Sequence, residues 1–483
     1  LISLFRINDP FRLVLATLIL LMFRLPMLIK GVPLTIPELN WMLLGERMAA
    51  GYSMYTDIWD NVAPLSAWVY WLLYVLFGKT TWSFHIIAMI LVIFQAGLFN
   101  RYVIRMGIYH EKTYVPALLY ICAINLSFDF MTLSPVLMAL TFLLLVLRNI
   151  FRLDDKAVDQ EIFKTGLYLG IATLFYLPSI FFLVMTLLGF ALFKTSSIRY
   201  LLIVIYGYVL VLAVYAIFLF YTNGLQEFYQ QCILTFITRN IVSYTDLREL
   251  LWIFSLPMVL LLITVVRVRT ERGFINFQSN SQQIMIIWIL VSFPAVLFAP
   301  YLAPNQFILF VPALVFFATH YLLMLRRKWL AEAYFLVFAF ALLFNSYHLV
   351  FGLVPTDDEF YQKLAVKPFE LPDMANKKML VLGNDLSFYR GNRLSTPYLN
   401  WEISKNHFSM LNSYPVLIEI SNNLMEDLPE VIVDLTPEQR ARQVFERIPS
   451  LKERYTLQVM NGTAFYMLNQ DMAGPALPAN LVP

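Results

Sequence analysis

The sequence predicts a mainly α-helical, polytopic transmembrane bundle followed by a small C-terminal α/β domain. Three observations carry that expectation. Of 483 residues, 59% are hydrophobic and only 14% charged, far from the balance of an ordinary globular chain. Apolar runs recur from Phe11 to about residue 351, many of them near the ~20 residues a helix needs to cross a bilayer. From about Pro355 the composition becomes that of a globular domain. The expected division is therefore 1–354, transmembrane, and 355–483, extracytoplasmic.

The first run, 11–29, follows Arg6 and Arg12, is too long for a signal-peptide core and lacks a small-residue cleavage site. It reads as an uncleaved span. The sequence opens on Leu, so an initiator residue is expected to precede it. Further spans are expected near 82–100, 114–128, 131–147, 165–177, 179–193, 200–221, 250–266, 284–300, 306–323 and 329–351, eleven in all. Segment 63–77 and the pair meeting at Pro178 are short for spans, and charge decides between them. If 63–77 stays outside and the pair crosses twice, the clusters at Arg6–Arg12, Arg101–Lys112, Arg148–Lys164, Lys194–Arg199, Arg267–Arg272 and Arg326–Lys328 all fall on one side. That is the asymmetry expected of cytoplasmic loops. The N-terminus is then cytoplasmic, the C-terminal domain lies across the inner membrane, and 31–81 is one long outer loop.

Residues 63–77 carry Trp68, Tyr70, Trp71 and Tyr74, the aromatic population of a bilayer interface. In the outer loop 222–249, apolar residues from Leu225 to Ile237 recur at helical spacing with Gln226, Glu227, Gln230 and Gln231 opposite, predicting an amphipathic helix on the membrane surface. In the C-terminal part, 379–382 and 431–433 read as buried strands with a helix at 415–428 between them. Asn461-Gly462 predicts a hairpin joining Tyr455–Met460 to Thr463–Leu468. A net charge of +3, spread as short clusters between spans, argues against nucleic acid as a partner. Cys122 and Cys232 fit neither a disulfide framework nor a metal site.

The chemistry-bearing candidates gather on the outer side. Thr35-Ile36-Pro37-Glu38 fits a capping box, and Glu38 reads either as that cap or as a general base. Asp57 and Asp60 flank Trp59. They read as oxygen ligands for a divalent cation or as an Asx-type turn helped by Asn61. Asp129, in the next outer loop, is a further metal-ligand candidate or the solvated end of a span. Arg24 sits in the first span, where a charge is costly, and is expected to pair with a first-loop acid or to meet substrate phosphate. His85, His320 and His348 are isolated and expected to donate to carbonyls.

A first span, an acid, an amphipathic helix, Gly51-Tyr52-Ser53-Met54-Tyr55-Thr56-Asp57, then Pro64-Leu65 and an aromatic segment ending Phe77-Gly78: this order resembles the GT-C superfamily of polytopic glycosyltransferases, especially its bacterial protein O-mannosyltransferase-like and aminoarabinose-transferase-like branches. The sequence-specific part of the resemblance lies in about residues 24–80. It implies a polyprenyl-phosphate-linked sugar donor, a site on the outer face and an acid of the first outer loop as base, with Glu38 and Asp57 the catalytic candidates, Asp60 and Asn61 near substrate, and Arg24, Arg47 or Arg239 as substitutes for a phosphate-facing cation. A divalent cation, held in part by Asp129, is the cofactor the pattern allows for. Two departures stand out: Pro37-Glu38 occupies the place of an Asp-Glu pair, and no Lys or His precedes Pro64. The competing expectation is a catalytically silent scaffold of the same fold, bound to lipid or to a protein partner in a cell-envelope assembly. A transporter would need an internal repeat, and none is visible.

Overall fold

The computed structural model describes residues 1–152, 159–192, 198–239, 242–271, 274–351, 363–367, 374–460 and 462–469. Lys156, Lys194, Arg272, Pro355 and the turn residue Asn461 lie outside these, as does the His348 side chain. Among the described residues, seven helices are long and apolar enough to cross a membrane: Phe11–Lys30, Thr81–Arg105, Ile198–Tyr221, Arg248–Thr270, Asn276–Leu297, Pro304–Met324 and Lys328–Tyr347. The other four expected spans fall on shorter helices, Val115–Ala123, Pro135–Phe151, Asp159–Phe175 and the piece running from Leu177 to Leu192. Segment 63–77 is a helix of 14 residues, Pro64–Phe77. At ~1.5 Å per residue that is about 21 Å, short of a bilayer's ~30 Å hydrocarbon core.

Small residues set the tightest helix contact. Gly166 and Gly170 face Ile198–Tyr221, and a Cβ on Gly166 would lie 2.1 Å from the Val204 carbonyl oxygen. Gly207 returns the fit, its Cβ position lying 2.6 Å from the Phe163 carbonyl oxygen. This is the small-x-x-x-small logic by which membrane helices approach backbone to backbone. At one end of the bundle the Ile2 and Ser3 backbone N–H groups donate to the two Glu332 oxygens, each at 3.1 Å, and Arg6 donates to the Leu322 carbonyl at 3.1 Å. The segments 1–6 and 322–332, next to two of the basic clusters that the charge bookkeeping placed together, meet there.

At the other end, 31–81 forms a helical hairpin of Ile36–Ala49 against Pro64–Phe77. Gly45 permits the contact: its Cβ would stand 2.5 Å from the Tyr70 carbonyl oxygen. Trp41 stacks on Tyr70 with ring centroids 5.3 Å apart. Trp68 and Trp71 remain 46% and 41% exposed, the position of interfacial aromatics.

The C-terminal layer is a five-stranded sheet. Strand Lys378–Leu382 pairs in parallel with Arg393–Leu394 on one side and with Val431–Asp434 on the other. The hairpin Tyr455–Met460/Thr463–Leu468 then adds antiparallel, Thr463–Leu468 beside Val431–Asp434. Both predicted strands, the intervening helix Tyr414–Glu426 and the hairpin are present. This layer is bolted to the outer hairpin. Arg47 pairs with Asp427 in a buried ion pair, with Lys378 also on Asp427 at 2.7 Å. Lys79 reaches Glu46 at 2.9 Å and the Asn392 carbonyl at 2.8 Å. Trp59 inserts into the layer's own core, edge-on to Tyr398 at 5.1 Å. Its backbone N–H donates to the Pro397 carbonyl at 2.8 Å and its carbonyl accepts from the Asn400 N–H at 3.0 Å.

The surface segment at 225–238 departs from the single amphipathic helix expected. It is Leu225–Phe228, a π-helical turn Tyr229–Leu234, and Thr235–Thr238. The wide turn rotates Gln231 from the expected polar outer face to an inward position, 5% exposed. Leu225, Tyr229, Leu234 and Ile237 remain on the outside.

Candidate active site

The helical hairpin, the 225–238 segment, the loop at 298–301 and the C-terminal layer line a cleft. Its walls are aromatic and apolar, from Trp41, Tyr176, Phe236, Tyr244, Phe298 and Tyr301. Its polar groups are Asn40, Asp60, Asn61, Thr235, Asn384 and Asn400, with Cys232 beside them. A mostly apolar concavity with a few convergent polar groups is the usual form of a small-ligand site. Among the described residues lining it, Asp60 is the one carboxylate, and there is no lysine, arginine or histidine.

Asp60 is fully buried yet well supplied with donors. Asn40 Nδ2 donates to Oδ2 at 2.7 Å, while Asn400 Nδ2 and the Asn61 backbone N–H donate to Oδ1 at 3.1 Å and 2.8 Å. The Asp60 N–H donates to Gln231 Oε1 at 3.2 Å, and Gln231 Nε2 donates in turn to the Tyr55 carbonyl. Burial pushes the Asp60 carboxyl above its ordinary value, against the opposing pull of the Asn400, Asn40 and Asn61 donors. The backbone around it is fixed by Tyr55, held at φ +72°, whose hydroxyl donates to the Val62 carbonyl at 2.7 Å. Asp60 and Asn61, expected near substrate, thus both line the cleft.

The other candidates lie elsewhere. Glu38 is buried below the hairpin: Thr35 Oγ1 accepts from its N–H at 3.3 Å, and its own carboxylate stands 3.4 Å from His85 Nε2. Its side chain does not close the capping box, and His85 faces this acid rather than the carbonyl expected. Asp57 accepts from the Ser53 N–H at 2.8 Å and so ties back the turn that precedes it, four residues upstream rather than downstream as in the Asx-type turn expected. Arg24 makes no ion pair with the first loop; its Nε donates to Asn125 Oδ1 at 3.0 Å, leaving both terminal nitrogens unpartnered. Arg47, held by Asp427, is spent on the layer contact. Arg239, exposed and at φ +55°, places its guanidinium 5.3 Å from the Phe298 ring centroid and so stands at the cleft's rim.

Asp129 is buried rather than solvated; its Oδ2 accepts from the Asn305 N–H at 2.7 Å, and Asn305 Nδ2 donates to Tyr301 Oη at 3.1 Å. It therefore supports the cleft wall from behind. Among the described residues no three of His, Cys, Asp and Glu converge as ligands for an ion. Asp57, Asp60 and Asp129 are each engaged separately, so the donor set does not fit the divalent cation the sequence allowed for.

Sequence reasoning missed Asn40, Gln231, Tyr301 and Asn400. Asn40 had a signal: it is the polar residue one turn after Pro37 on a helix otherwise apolar on that face. Asn400 had none, because only the docking of two distant segments brings it to Asp60.

No protein-family model matches the sequence, and no curated protein matches it. Solved structures share its architecture, among them two of ArnT. ArnT from Cupriavidus metallidurans bound to undecaprenyl phosphate superposes with a TM-score of 0.57 at 13% identity, over 96% of this chain and 99% of that one. The apo state of ArnT from the same organism gives 0.54 at 11% identity, over the same shares. The fold is the GT-C fold. At such identity the GT-C likeness is one of architecture, and it spans the helical bundle and the C-terminal layer together.

Proposed function

We propose that the chain is a membrane glycosyltransferase that takes a sugar from a polyprenyl-phosphate donor at the outer face of the cytoplasmic membrane. The observation that carries the reading is Asp60: a buried carboxylate held by three N–H donors in the wall of a cleft framed by outer segments. Of Glu38, Asp57 and Asp60, only Asp60 lines that cleft, so the catalytic base is assigned to it in place of the other two. The GT-C fold and the undecaprenyl phosphate of the ArnT structure support the donor class. The run of basic clusters on the opposite end supports the orientation, N-terminus cytoplasmic and C-terminal layer outside. A cleft whose amide groups converge on one buried carboxylate favours an enzyme over a silent scaffold.

In this reading the acceptor hydroxyl lies between Asp60 and the sugar's anomeric carbon. Its proton passes to Asp60, its oxygen forms the new bond to that carbon, and the bond from carbon to phosphate oxygen breaks, the electron pair leaving with the polyprenyl phosphate. Burial raises the basicity of Asp60, and Asn40 and Asn400 fix its two oxygens, so the base is oriented before substrate arrives. Arg239 at the rim supplies the positive charge facing the departing phosphate. Tyr244, Tyr301 and Trp41 supply walls that exclude water. No step passes through a metal ion.

The test is photolabelling. The full chain in lipid nanodiscs is irradiated with a benzophenone-bearing polyprenyl phosphate, and the adducts are mapped by mass spectrometry. Adducts concentrated on Phe236, Phe298 and neighbouring cleft residues, and competed by unlabelled polyprenyl phosphate, are expected. Labelling spread over the lipid-facing helices to the same extent as a photoreactive phosphatidylcholine would refute the assignment.

A further inference from the structure

The carboxyl ends of the two parallel strands Lys378–Leu382 and Val431–Asp434 point the same way and open a second groove beside the Asp60 cleft. In open α/β sheets this edge is where ligands bind. The groove floor is built with care. Gly383 sits at φ +152°, and a Cβ there would come within 2.8 Å of Leu435 Cβ, so the two strand-end loops touch. Asp434 holds the second loop, accepting from the Thr436 N–H at 3.0 Å and from the Ala441 N–H at 2.8 Å.

Three features define what such a groove accepts. Gly383, Asn384 and Trp401 line both it and the Asp60 cleft, so the two spaces are continuous. Trp401 is half-buried, its ring packed on Phe408 at 5.7 Å, and it offers an apolar face in otherwise polar surroundings. Around it carboxylates, amides and cations alternate: Asn384 Nδ2 donates to Glu402 Oε1 at 2.9 Å, Lys405 pairs with the other Glu402 oxygen, and Asp385 and Arg440 flank them. Three carboxylates (Asp385, Glu402 and Glu438) against two cations (Lys405 and Arg440) repel a phosphate. A neutral polyol, whose hydroxyls both donate and accept, suits interleaved carboxylates, amides and cations, and the C–H face of a pyranose suits an indole ring.

We infer that this groove is the acceptor subsite and that it holds a saccharide, one sugar ring lying on Trp401 with its hydroxyls on Asn384, Glu402 and Lys405. The inference rests on the glycosyl-transfer reading above and adds to it the class of acceptor. It also explains why Asn400 reaches Asp60: the residue that caps helix Trp401–Ser409 ties the acceptor platform to the base.

The test is binding, separate from turnover. Saturation-transfer-difference NMR is run on the full chain in nanodiscs with the water-soluble saccharides released from the host's own envelope by mild acid. Saturation of pyranose ring protons is expected in the wild type. Asn406→Trp, which fills the groove from an exposed position, and Glu402→Gln are each expected to weaken binding by about tenfold, a loss of about 1.4 kcal/mol. Thermal melting confirms that both variants fold. Absence of saturation in the wild type, unchanged binding in both folded variants, or capture of peptides from a digest of envelope proteins in place of saccharide would each overturn the proposal. A wild type that binds saccharide but transfers no sugar to it would instead count against the function assigned to Asp60.

Discussion

Asp60→Asn is the most informative single substitution. The side chain keeps its shape, and one oxygen still accepts. The new amide nitrogen takes the place of Oδ2, because Oδ1 accepts from the Asn61 backbone N–H, which cannot turn over. There it faces Asn40 Nδ2, 2.7 Å from Oδ2, and the Asn40 amide can turn over to offer its oxygen instead. Relief of a buried charge offsets part of any lost hydrogen-bond strength, so the melting temperature is expected to stay within a few degrees of the wild type, about 1 kcal/mol. The chemistry is affected far more. A positioned general base contributes about 10²–10⁴-fold, so sugar release from a radiolabelled polyprenyl-phosphate donor is expected to fall by at least ~10²-fold with the donor's KM little changed. In the wild type the acid limb of the pH–rate profile reports this carboxyl. Its folded-state value is raised by burial, so activity is lost on the acid side with a midpoint above the ordinary aspartate range. A folded Asp60→Asn protein retaining activity within threefold of the wild type would refute the role of Asp60, and with it the choice of Asp60 over Glu38 and Asp57.

Arg239→Ala removes an exposed cation at the cleft rim and is expected to weaken polyprenyl phosphate binding about fivefold, roughly 1 kcal/mol. The difference should shrink as salt rises, and titration at two ionic strengths checks it. Gly166→Val forces branched carbon against the Val204 carbonyl; a loss of about 3 kcal/mol or more, read as a lowered melting temperature or absent insertion, is expected. Asp427 is opposed by burial yet held below the usual aspartate range by Lys378 and Arg47. A depressed folded value means the contribution is complete above the unfolded pKa of about 3.9 and fades as pH falls through the folded value. Hydrogen exchange of the 378–382 strand is therefore expected to speed up on acidification below about pH 4, and Asp427→Asn is expected to abolish that pH step.

Much of the architecture was legible because it rests on composition and charge. Bilayer-length apolar runs and the sidedness of Lys and Arg act locally, and they put the outer hairpin, the 225–238 segment and the Asp129 loop at one end without any knowledge of packing. Alternating strand patterns and the Asn461-Gly462 turn did the same for the C-terminal sheet. The site was legible only in outline. Asp60 and Asn61 were among the candidates, but Glu38 carried more weight because a resemblance of motif says nothing about where a side chain points. The π-helical turn that swings Gln231 inward has no signature in the spacing of apolar residues. The gathering of Asn40, Asn400 and Gln231 around Asp60 joins residues 20 to 340 positions apart, which no local pattern encodes. Arg24 found an amide partner, Asn125, where charge reasoning pointed to an acid; two nitrogens of that guanidinium stay buried and unpartnered.

The central claim is that lipid-linked sugar is processed beside Asp60. An electron cryomicroscopy structure of the Asp60→Asn protein in nanodiscs with a polyprenyl-phosphate sugar tests it most directly. The sugar is expected in the aromatic cleft, its anomeric carbon facing residue 60, and the phosphate on the side of Arg239. A phosphate bound instead at Arg24 in the first span, or a cleft left empty while the lipid occupies the bundle elsewhere, would contradict it.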